Sequence, residues 1–364
     1  MQRVFALTAA SLLLWSVSAT NSRADTPQPA SRPTAPMMNA QAFVPGTGAF
    51  LDKLCDDFED PDWGYTYNMP KSSQEQDEQE RGPGARSSNG LWAEGAKRGT
   101  PDLVKRVTTP PGGIEGSTGA LMFATLHSGV PGTVSNTQQQ DDLLMKFDHR
   151  LRSGSIPVTW RPSCTVRVYL PPFDDWERRP GPSFGMRADV RGHKGSGEIE
   201  PYWPGMFLLF RPKDRKNDAD YAQISVRSGP RGNDIHSTKI EEPGWWTLGM
   251  SFSPDGQVHY YAHAGVADLT ADDYIMSSFP YGDRCQTFNN FFFNVANIDN
   301  GHSWSTKWII DDPKVFVIAP MGQDVAQLYR PEPKPRLAPQ NRGRATANNS
   351  KARSASNQMQ QPQR

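Results

Sequence analysis

Short strand-like runs follow one another from about residue 43 to residue 329, each rich in Val, Phe, Tyr and Trp and bounded by Pro, Gly, Asn or Asp. Such runs are typical of β-strands, and their borders are typical of turns. Only 271–277 has a brief helical pattern. Because parallel sheets need long crossovers, we predict one all-β domain, an antiparallel β-sandwich. The predicted strands are 54–59, 102–107, 120–126, 143–149, 164–170, 183–190, 205–211, 221–227, 245–252, 257–263, 290–297 and 307–318.

Both ends of the chain differ in composition from this domain. The apolar run from Val4 to Ala19 is too short to span a bilayer and predicts a signal peptide over 1–24, cleaved after Ala19 or Ala24. Residues 25–42 read as a linker rich in Pro, Ser, Thr and Ala. Residues 330–364 read as a disordered basic tail, because 331–364 carry seven Lys and Arg against the single acid Glu332. We therefore expect a secreted protein, periplasmic or extracellular, without a membrane span.

Charge and cysteine content add few constraints. The chain has 39 Lys and Arg and 39 Asp and Glu, and with a basic tail the domain itself is slightly acidic, so we predict no nucleic-acid surface. The three cysteines, Cys55, Cys164 and Cys285, allow one disulfide and one free thiol in any of three pairings. The sequence leaves the oligomeric state open.

Two predicted strands have a distinct polar face. Alternation along 257–263 separates an apolar face from one that carries the two histidines. Alternation along 164–170 likewise places an Arg and a Tyr on one side. This pattern is typical of a solvated convex face, or alternatively of a concave groove that presents hydrogen-bond donors and rings to a sugar chain. The polar-face residues are His259, Tyr261, His263, Arg167 and Tyr169.

Three segments resemble the concanavalin A-like lectin/glucanase superfamily, in the style of its laminin-G-like and laminarinase-like jelly rolls. They are DDFED at 56–60, GWWTLGMSFSPDGQVHYYAHAG at 244–265 and WIIDDPKVFVI at 308–318. The middle segment also predicts a hairpin from its Pro254-Asp255-Gly256 turn. The resemblance implies a jelly roll that binds carbohydrate or acts on it, because this fold hosts both lectins and enzymes.

The segment SSQEQDEQER at 72–81 contains Glu75-x-Asp77-x-x-Glu80, which resembles the two-carboxylate motif of laminarinases. In that family the residues between the acids are mostly apolar and hold them on a strand. Here they are Gln76, Glu78 and Gln79, so a strand would have two polar faces and no reason to join a sheet. We therefore predict a charged loop.

Two fragments resemble the jelly-roll alginate lyases. Gln223-Ile224-Ser225 is similar to their Gln-Ile-His, and 261–265 is similar to their Tyr-Phe-Lys-Ala-Gly. Ser225 stands at the histidine position, Ala267 stands at a tyrosine position, and no Arg-Thr-Glu-Leu-Arg-like strand is present. A base from another strand remains an alternative, since proton transfer needs only geometry and a suitable pKa. The candidates for this base are His236, His259 and Tyr261, and Gln223 is a further candidate residue of the site.

Aromatic side chains in loops are a second carbohydrate signal. Tyr202 and Trp203 lie in a Pro- and Gly-flanked loop, and Trp176 lies in a charged one, so we predict stacking platforms at these three positions. We assign Trp245, Trp304 and Trp308 to the core.

We expect no organic cofactor. Asp57, Glu59, Asp311 and Asp312 lie where the first and last strands of this fold usually run side by side, and they offer the oxygen ligands that Ca²⁺ prefers. A structural calcium there is one interpretation, and hydrogen-bonded turn residues are the other. The histidines and cysteines lack zinc-type spacing.

These observations together predict a secreted protein that recognises a polysaccharide on a concave sheet face. A polysaccharide lyase or glycoside hydrolase on the same fold is the alternative, and a structural or protein-binding domain is the second alternative. The sequence does not decide whether the protein is an enzyme.

Overall fold

Alternating apolar and polar residues build two antiparallel sheets in the computed structural model, which describes residues 41–77, 81–193 and 197–331. The described strands are β1 (Ala49–Phe50), β2 (Tyr65–Thr66), β3 (Arg86–Ser87), β4 (Trp92–Glu94), β5 (Leu103–Val107), β6 (Ala120–Ala124), β7 (Gln139–Met145), β8 (Ile156–Pro157), β9 (Ser163–Leu170), β10 (Gly181–His193), β11 (Ile199–Tyr202), β12 (Gly205–Arg211), β13 (Tyr221–Arg227), β14 (Asp234–Ile240), β15 (Gly244–Phe252), β16 (Val258–Ala264), β17 (Tyr274–Ser278), β18 (Arg284–Asn297) and β19 (Trp308–Val317).

Helical structure in the described residues is limited to single turns. One α-helical turn, α1, spans Gln74–Asp77. The 3₁₀ turns span Asp52–Leu54, Asp148–Arg150, Val158–Trp160, Phe173–Asp175, Ala271–Asp273, Pro280–Gly282 and Val325–Leu328.

Eight strands form one sheet in the order β17-β16-β15-β9-β19-β6-β5, with β1 beside β19. Eleven strands form the other in the order β14-β13-β12-β10-β18-β7-β4-β3-β2, with β11 beside β10 and β8 beside β18. Pairing between these strands is antiparallel throughout. The predicted all-β antiparallel sandwich is confirmed.

Two local predictions are wrong. The segment 54–59 is not a strand, because a 3₁₀ turn ends at Leu54 and irregular backbone follows, with Phe58 in the left-handed region at φ 55°. The segment 271–277 is not helical beyond Asp273, because β17 begins at Tyr274 and pairs with β16.

The core fills the space between the sheets. One face of β9, with Val166, Val168 and Leu170, packs towards the matching face of β10, with Met186 and Ala188. Aromatic rings link the two layers, and Phe184 lies 4.9 Å from Trp308 and 5.6 Å from Phe293 between ring centroids. The other face of each sheet is therefore the one available for function.

The chain itself covers much of the outer face of the eight-stranded sheet. The Ser251 hydroxyl donates to the Phe43 carbonyl at 2.6 Å, and the Gly46 amide donates to the Ser163 hydroxyl at 3.2 Å. Leu269 and Pro45 lie so close to Gly249 that a side chain there would collide with both. Residues 42–46 and the loop at Leu269 thus cover the part of this face around Gly249 and Ser251.

The terminal segments that the sequence predicts are largely outside the part of the chain that the structure describes. The predicted signal peptide, most of the linker and most of the basic tail lie outside the described residues. Within the described part, no helix is long and apolar enough to cross a membrane.

Candidate functional site

A cleft of about 410 Å³ lies on the outer face of the eleven-stranded sheet. Its floor is a row of side chains that crosses neighbouring strands, because Phe292 of β18 pairs with Leu144 of β7 on one side and with Arg187 of β10 on the other. Arg187 pairs in turn with Gly205 of β12, and Arg227 of β13 closes the row. The floor of the cleft is therefore apolar at the end formed by Leu144 and Phe292 and cationic at the end formed by Arg187 and Arg227.

Arg187 is the central residue of the floor and is only 6% exposed. Its Nε and Nη2 atoms donate to the Trp203 carbonyl at 3.3 and 2.9 Å. Gly205 makes room for it, since a Cβ there would lie 2.6 Å from Arg187 Cγ. The guanidinium carbon lies 5.7 and 5.5 Å from the ring centroids of Phe207 and Phe292. The side chain is held in place without a neutralising partner.

No carboxylate in the described residues lies within ion-pair distance of Arg187. Burial lowers the pKa of Arg187 to about 10, an effect that Tyr281 and Asp142 oppose and that the nearby Arg227 and Arg98 increase. The guanidinium thus stays charged at neutral pH. Since no carboxylate of the described residues contacts it directly, this buried cation costs free energy that a bound anion would recover.

Two loops form the walls. Lys97, from the loop after β4, places its Nζ 4.2 Å from the ring centroid of Trp203, which belongs to the loop before β12. Arg227 forms two bonds with Asp234, at 2.8 and 3.3 Å, and lies over Phe207. The prediction that Trp203 is a loop aromatic at a binding surface agrees with its place in this wall, and its contact with a sugar stays a prediction.

Tyr281 lines the cleft in a conformation that side chains rarely adopt, with φ 64°. Its amide donates to the Gly229 carbonyl at 3.0 Å, and its ring fills the space where a side chain at residue 232 would lie, which only Gly232 permits. Its side chain lies close enough to Arg227 to raise the pKa of that guanidinium, together with Asp234. Strained backbone that is held this firmly is a recurring feature of functional sites.

Two carboxyl groups also line the cleft, and burial raises the pKa of both Asp142 and Asp189. Asp142 pairs with Asn294, and Asp189 pairs with Asn290, four residues away along β18. At roughly 3.3 Å per residue, their Cα positions are at least about 13 Å apart. A glycosidase pair is defined by carboxyl groups about 5 to 9.5 Å apart, and the strand register does not place these two acids in that arrangement.

Glu75 lies at the border of the cleft in α1, within 2.6 Å of Arg98. The backbone from Gln74 to Asp77 is a helical turn rather than the predicted loop, and it is not the strand that the laminarinase motif needs. The Asp77 side chain and Glu80 lie outside the described residues.

Gln223 and His236 lie together on the same outer face, next to the cleft. Arg211 Nη2 donates to Gln223 Oε1 at 3.4 Å and lies 3.2 Å from His236 Nε2. His236 Nδ1 lies 3.0 Å from the Ser225 hydroxyl. The structure therefore brings these two predicted residues together, with Ser225 where the resembling lyases have histidine.

The other catalytic candidates lie on the opposite sheet, away from this cleft. His259 is fully buried between the Ser253 and Ser277 hydroxyls, at 2.9 and 2.6 Å, and Tyr261 is fully buried against Leu269 and Tyr274. Burial lowers the pKa of His259 to about 4. His259 and Tyr261 do not line the predicted groove, because residues 42–46 and the loop at Leu269 cover them, whereas Arg167 lines a cleft of about 320 Å³ elsewhere on this face.

The remaining polar residues on that sheet have internal partners. Arg167 bonds Asp268 and Asp312 and donates to the Val266 carbonyl at 3.2 Å. His263 Nδ1 lies 2.8 Å from Asp273, and the Tyr169 ring lies 5.4 Å from that of Trp245. These contacts stabilise the sheet and its covering loops.

Two of the predicted stacking platforms are buried. Trp176 is 3% exposed and packs edge-on against Trp308, with the ring centroids 4.8 Å apart. Tyr202 is 4% exposed and lies edge-on to Tyr281. Trp245 and Trp308 are in the core as predicted, but Trp304 is 42% exposed. The charged residues beside Trp176 in the sequence therefore did not predict that its ring is buried.

The four predicted calcium ligands are engaged by their neighbours. Glu59 accepts from the Thr118 and Gly119 amides, and Asp57 accepts from the Glu59 amide at 3.1 Å. Asp311 accepts from Ser117 at 2.8 Å, and Asp312 pairs with Lys314 at 2.6 Å. The described residues contain no group of three His, Cys, Asp or Glu placed to hold a metal ion. A structural calcium stays a prediction.

The three thiols, all in the described residues, are free. Cys164 and Cys285 are buried, and burial raises the pKa of each above its ordinary range. Burial together with nearby Asp52 and Asp312 raises the pKa of Cys55 to about 12. All three are therefore protonated and unsuited to nucleophilic chemistry.

Sequence reasoning missed Arg187 and Tyr281. A signal for the first was present, because alternation along 183–190 places Gly185, Arg187 and Asp189 opposite Met186 and Ala188. The signal for Tyr281 was absent, because its place depends on the β13–β14 turn that packs against it.

Solved structures offer weak likenesses only. A family 7 alginate lyase, A1-II', in complex with a substrate is 10% identical, covers 58% of this chain and 83% of its own, and has a TM-score of 0.31. The exoplasmic/lumenal domain of VIP36 in its Ca²⁺/Man3GlcNAc-bound form is 12% identical over 65% and 88%, with a TM-score of 0.33. An endo-β-1,4-glucuronan lyase from the fungus Trichoderma reesei is 13% identical over 59% and 86%, with a TM-score of 0.29.

No protein-family model and no curated protein sequence matches the chain. The class of the protein is therefore set by its own fold, an antiparallel β-sandwich. Its function has to be inferred from the residues of the cleft.

Proposed function

We propose that this is a secreted carbohydrate-binding protein that holds an acidic polysaccharide in the cleft on the eleven-stranded sheet. The observation that carries the proposal is Arg187, a buried cation at the centre of the floor with no carboxylate partner in the described residues. A planar guanidinium matches a sugar carboxylate or sulfate, which can accept two parallel hydrogen bonds from it.

The other lining residues suit a sugar ring. Leu144 and Phe292 offer apolar surface to C–H groups at one end of the floor, and Trp203 offers a flat ring at the wall. Asn290 has a buried side-chain oxygen without a hydrogen-bond partner in the described residues, which a sugar hydroxyl would satisfy. Charge and apolar contact together favour an anionic glycan over a free inorganic anion.

The test is binding of polyuronate, sulfated and neutral polysaccharides in affinity electrophoresis, with Arg187→Gln as the variant. We expect the wild type to retain an acidic polymer and Arg187→Gln to bind it at least about tenfold more weakly, since the variant removes the buried positive charge. Arg187→Lys is expected to fall between them, because it keeps the charge and loses the fork.

Arg191→Gln is the matched control, since Arg191 lies on the same strand and is exposed. An equal loss of binding in the two variants would mean that overall charge alone attracts the polymer. Retention of neutral polymers only, or of none, would contradict the proposal.

A second candidate function is polysaccharide lysis in the same cleft, and Tyr281 is the observation that favours it. Its side chain lies beside Arg227 in a strained, firmly held conformation. In an elimination the base removes the proton next to the sugar carboxylate, the electron pair forms a C=C bond, and the glycosidic oxygen leaves. Arg187 would neutralise the carboxylate, and Tyr281 would transfer the proton.

The lyase candidate predicts absorbance from unsaturated uronate products on a polyuronate, abolished in Tyr281→Phe while binding persists. Binding without such products would identify a non-catalytic binding protein.

A further inference from the structure

A second cleft, of about 530 Å³, adjoins the first on the same sheet face. Glu75 and Arg98 line both clefts. The remaining lining is uncharged and mostly polar, and it consists of Val130, Thr133, Ser135, Gln138, Gln139 and Gln140. Hydroxyl and amide groups of this kind suit the hydroxyls of a sugar unit.

An ion pair stands at the junction of the two clefts. Arg98 Nη2 lies 2.6 Å from Glu75 Oε1, and Arg98 Nη1 lies 3.9 Å from Asp142 Oδ2. The side chains of Arg98 and Glu75 are 22% and 44% exposed, so solvent and a ligand reach both. Glu75 is the residue of the sequence motif that the proposed function does not use.

The backbone fixes where this pair stands. The Glu75 amide donates to the Lys97 carbonyl at 2.9 Å, and the Asp142 amide donates to the Gly99 carbonyl at 2.8 Å. Lys71 anchors the start of this segment, with its Nζ 2.6 Å from the buried Asp141 and 3.1 Å from Asp102. The loop that carries Arg98 and the turn that carries Glu75 are thus joined to each other and to β7.

We propose that the two clefts form one groove for a polyanionic chain and that Glu75 is an internal competitor for its second anionic group. This inference rests on the proposed function. Arg187 would bind one acidic sugar, and Arg98 would bind the next acidic group once it leaves Glu75. The neutral second cleft would then hold the sugar beyond. Glu75 therefore weakens binding to every ligand that needs Arg98.

The role of Glu75 is tested with two ligands. One is a polyuronate long enough to reach the second cleft, and the other is a single uronic acid that fills only the first. We expect Glu75→Gln to bind the polyuronate about threefold to fivefold more tightly than the wild type, which is the scale of a partly exposed ion pair. Binding of the single uronic acid is expected to stay unchanged. The gain is expected to vanish at about 0.5 M salt, where charges at the surface are screened.

The matched control is Glu241→Gln, which breaks the exposed pair of Glu241 with Lys239 at 2.6 Å. It removes the same charge by the same substitution, and Glu241 is not among the residues that line either cleft. A second variant, Gln139→Ala, is expected to weaken the polyuronate and leave the single uronic acid unchanged.

The outcomes are distinct. Equal affinities of Glu75→Gln and Glu241→Gln for the polyuronate would overturn this inference alone, as would weaker binding by Glu75→Gln, which would make Glu75 a ligand contact. Absence of any acidic-glycan binding in the wild type would overturn the proposed function and this inference with it. Thermal unfolding of each variant checks that affinity rather than folding has changed.

Discussion

At the scale of single residues, burial decides what a polar side chain does. Arg187 and His259 are both buried, but they differ in whether their hydrogen-bonding groups all have partners within the protein. His259 has a hydroxyl at each ring nitrogen, from Ser253 and Ser277, and is satisfied as a neutral ring. Arg187 has one carbonyl and lines a cleft, so it retains the capacity to bind an anion.

The pKa of His259 leads to a prediction about stability. Burial lowers it to about 4 in the folded protein, whereas an unfolded histidine titrates near its ordinary 6.5. The unfolded state therefore binds the proton more readily, and the stabilisation present above pH 6.5 is lost as the pH falls towards 4. We expect His259→Gln to cost about 1 to 3 kcal/mol at neutral pH, through imperfect hydrogen bonding in its buried site.

The test is the slope of the free energy of unfolding against pH, rather than its value at one pH. The free energy of unfolding, measured by urea titration from pH 7 to pH 4, is expected to fall less steeply in His259→Gln than in the wild type. Parallel curves would show that His259 is protonated in the folded protein as readily as in the unfolded chain.

At the scale of elements, the β15–β16 hairpin is the best example of local sequence deciding local structure. The predicted Pro254-Asp255-Gly256 turn is present, and the Gly256 amide donates to the Ser253 carbonyl at 2.9 Å. Gly256 has φ 86°, which L side chains rarely adopt. Its environment adds a second constraint, since a Cβ there would lie 2.8 Å from the Cys285 nitrogen.

Gly256→Ala is expected to destabilise the protein more than Gly265→Ala. Gly265 ends the same hairpin with φ 103° but has open space around its Cβ position, so it reports the backbone cost alone. We expect about 1 kcal/mol for Gly265→Ala and at least about 1 kcal/mol more for Gly256→Ala, because the backbone of β18 must also shift. Guanidinium denaturation measures both, and equal losses would mean that β18 yields without cost.

At the scale of the whole molecule, the outer faces of the two sheets differ in how much of each is covered by other segments of the chain. Residues 42–46 and the loop at Leu269 cover part of one outer face and leave a cleft of about 320 Å³ there, and the other outer face carries the two clefts that Glu75 and Arg98 line. The covering segment contributes apolar contacts, with Ala42 and Val44 packed against the cluster of Tyr261, Leu269 and Tyr274. The N-terminal segment thus belongs to the packing of the eight-stranded sheet.

Truncation tests this packing. A chain of residues 41–331 is expected to keep the cooperative unfolding transition of the full chain, since the buried apolar residues of the described core lie within it. A chain that starts at residue 52 is expected to unfold at least about 2 kcal/mol more easily, because it uncovers the outer face of the eight-stranded sheet and removes β1. Equal stability of the two shortened chains, measured by thermal and urea unfolding, would show that the N-terminal segment merely lies on the sheet.

The sequence by itself determined the all-β class, the antiparallel arrangement and the β15–β16 hairpin. Alternation and turn chemistry are local properties, and they act over a few neighbouring residues. The same locality explains the polar faces of β9 and β16, which alternation identified correctly.

Only the tertiary structure decided that the polar face of β10 lines a cleft and that the polar face of β16 is buried. The faces of β16 and β10 have the same alternation, but chain segments distant in sequence cover the first and leave Arg187 of the second in a cleft. Trp176 and Tyr202 turned inwards for the same reason, since burial depends on what packs against a ring from elsewhere in the chain. The pairing of Glu75 with Arg98 and the position of Tyr281 beside Arg227 likewise arise from contacts between loops that no local pattern records.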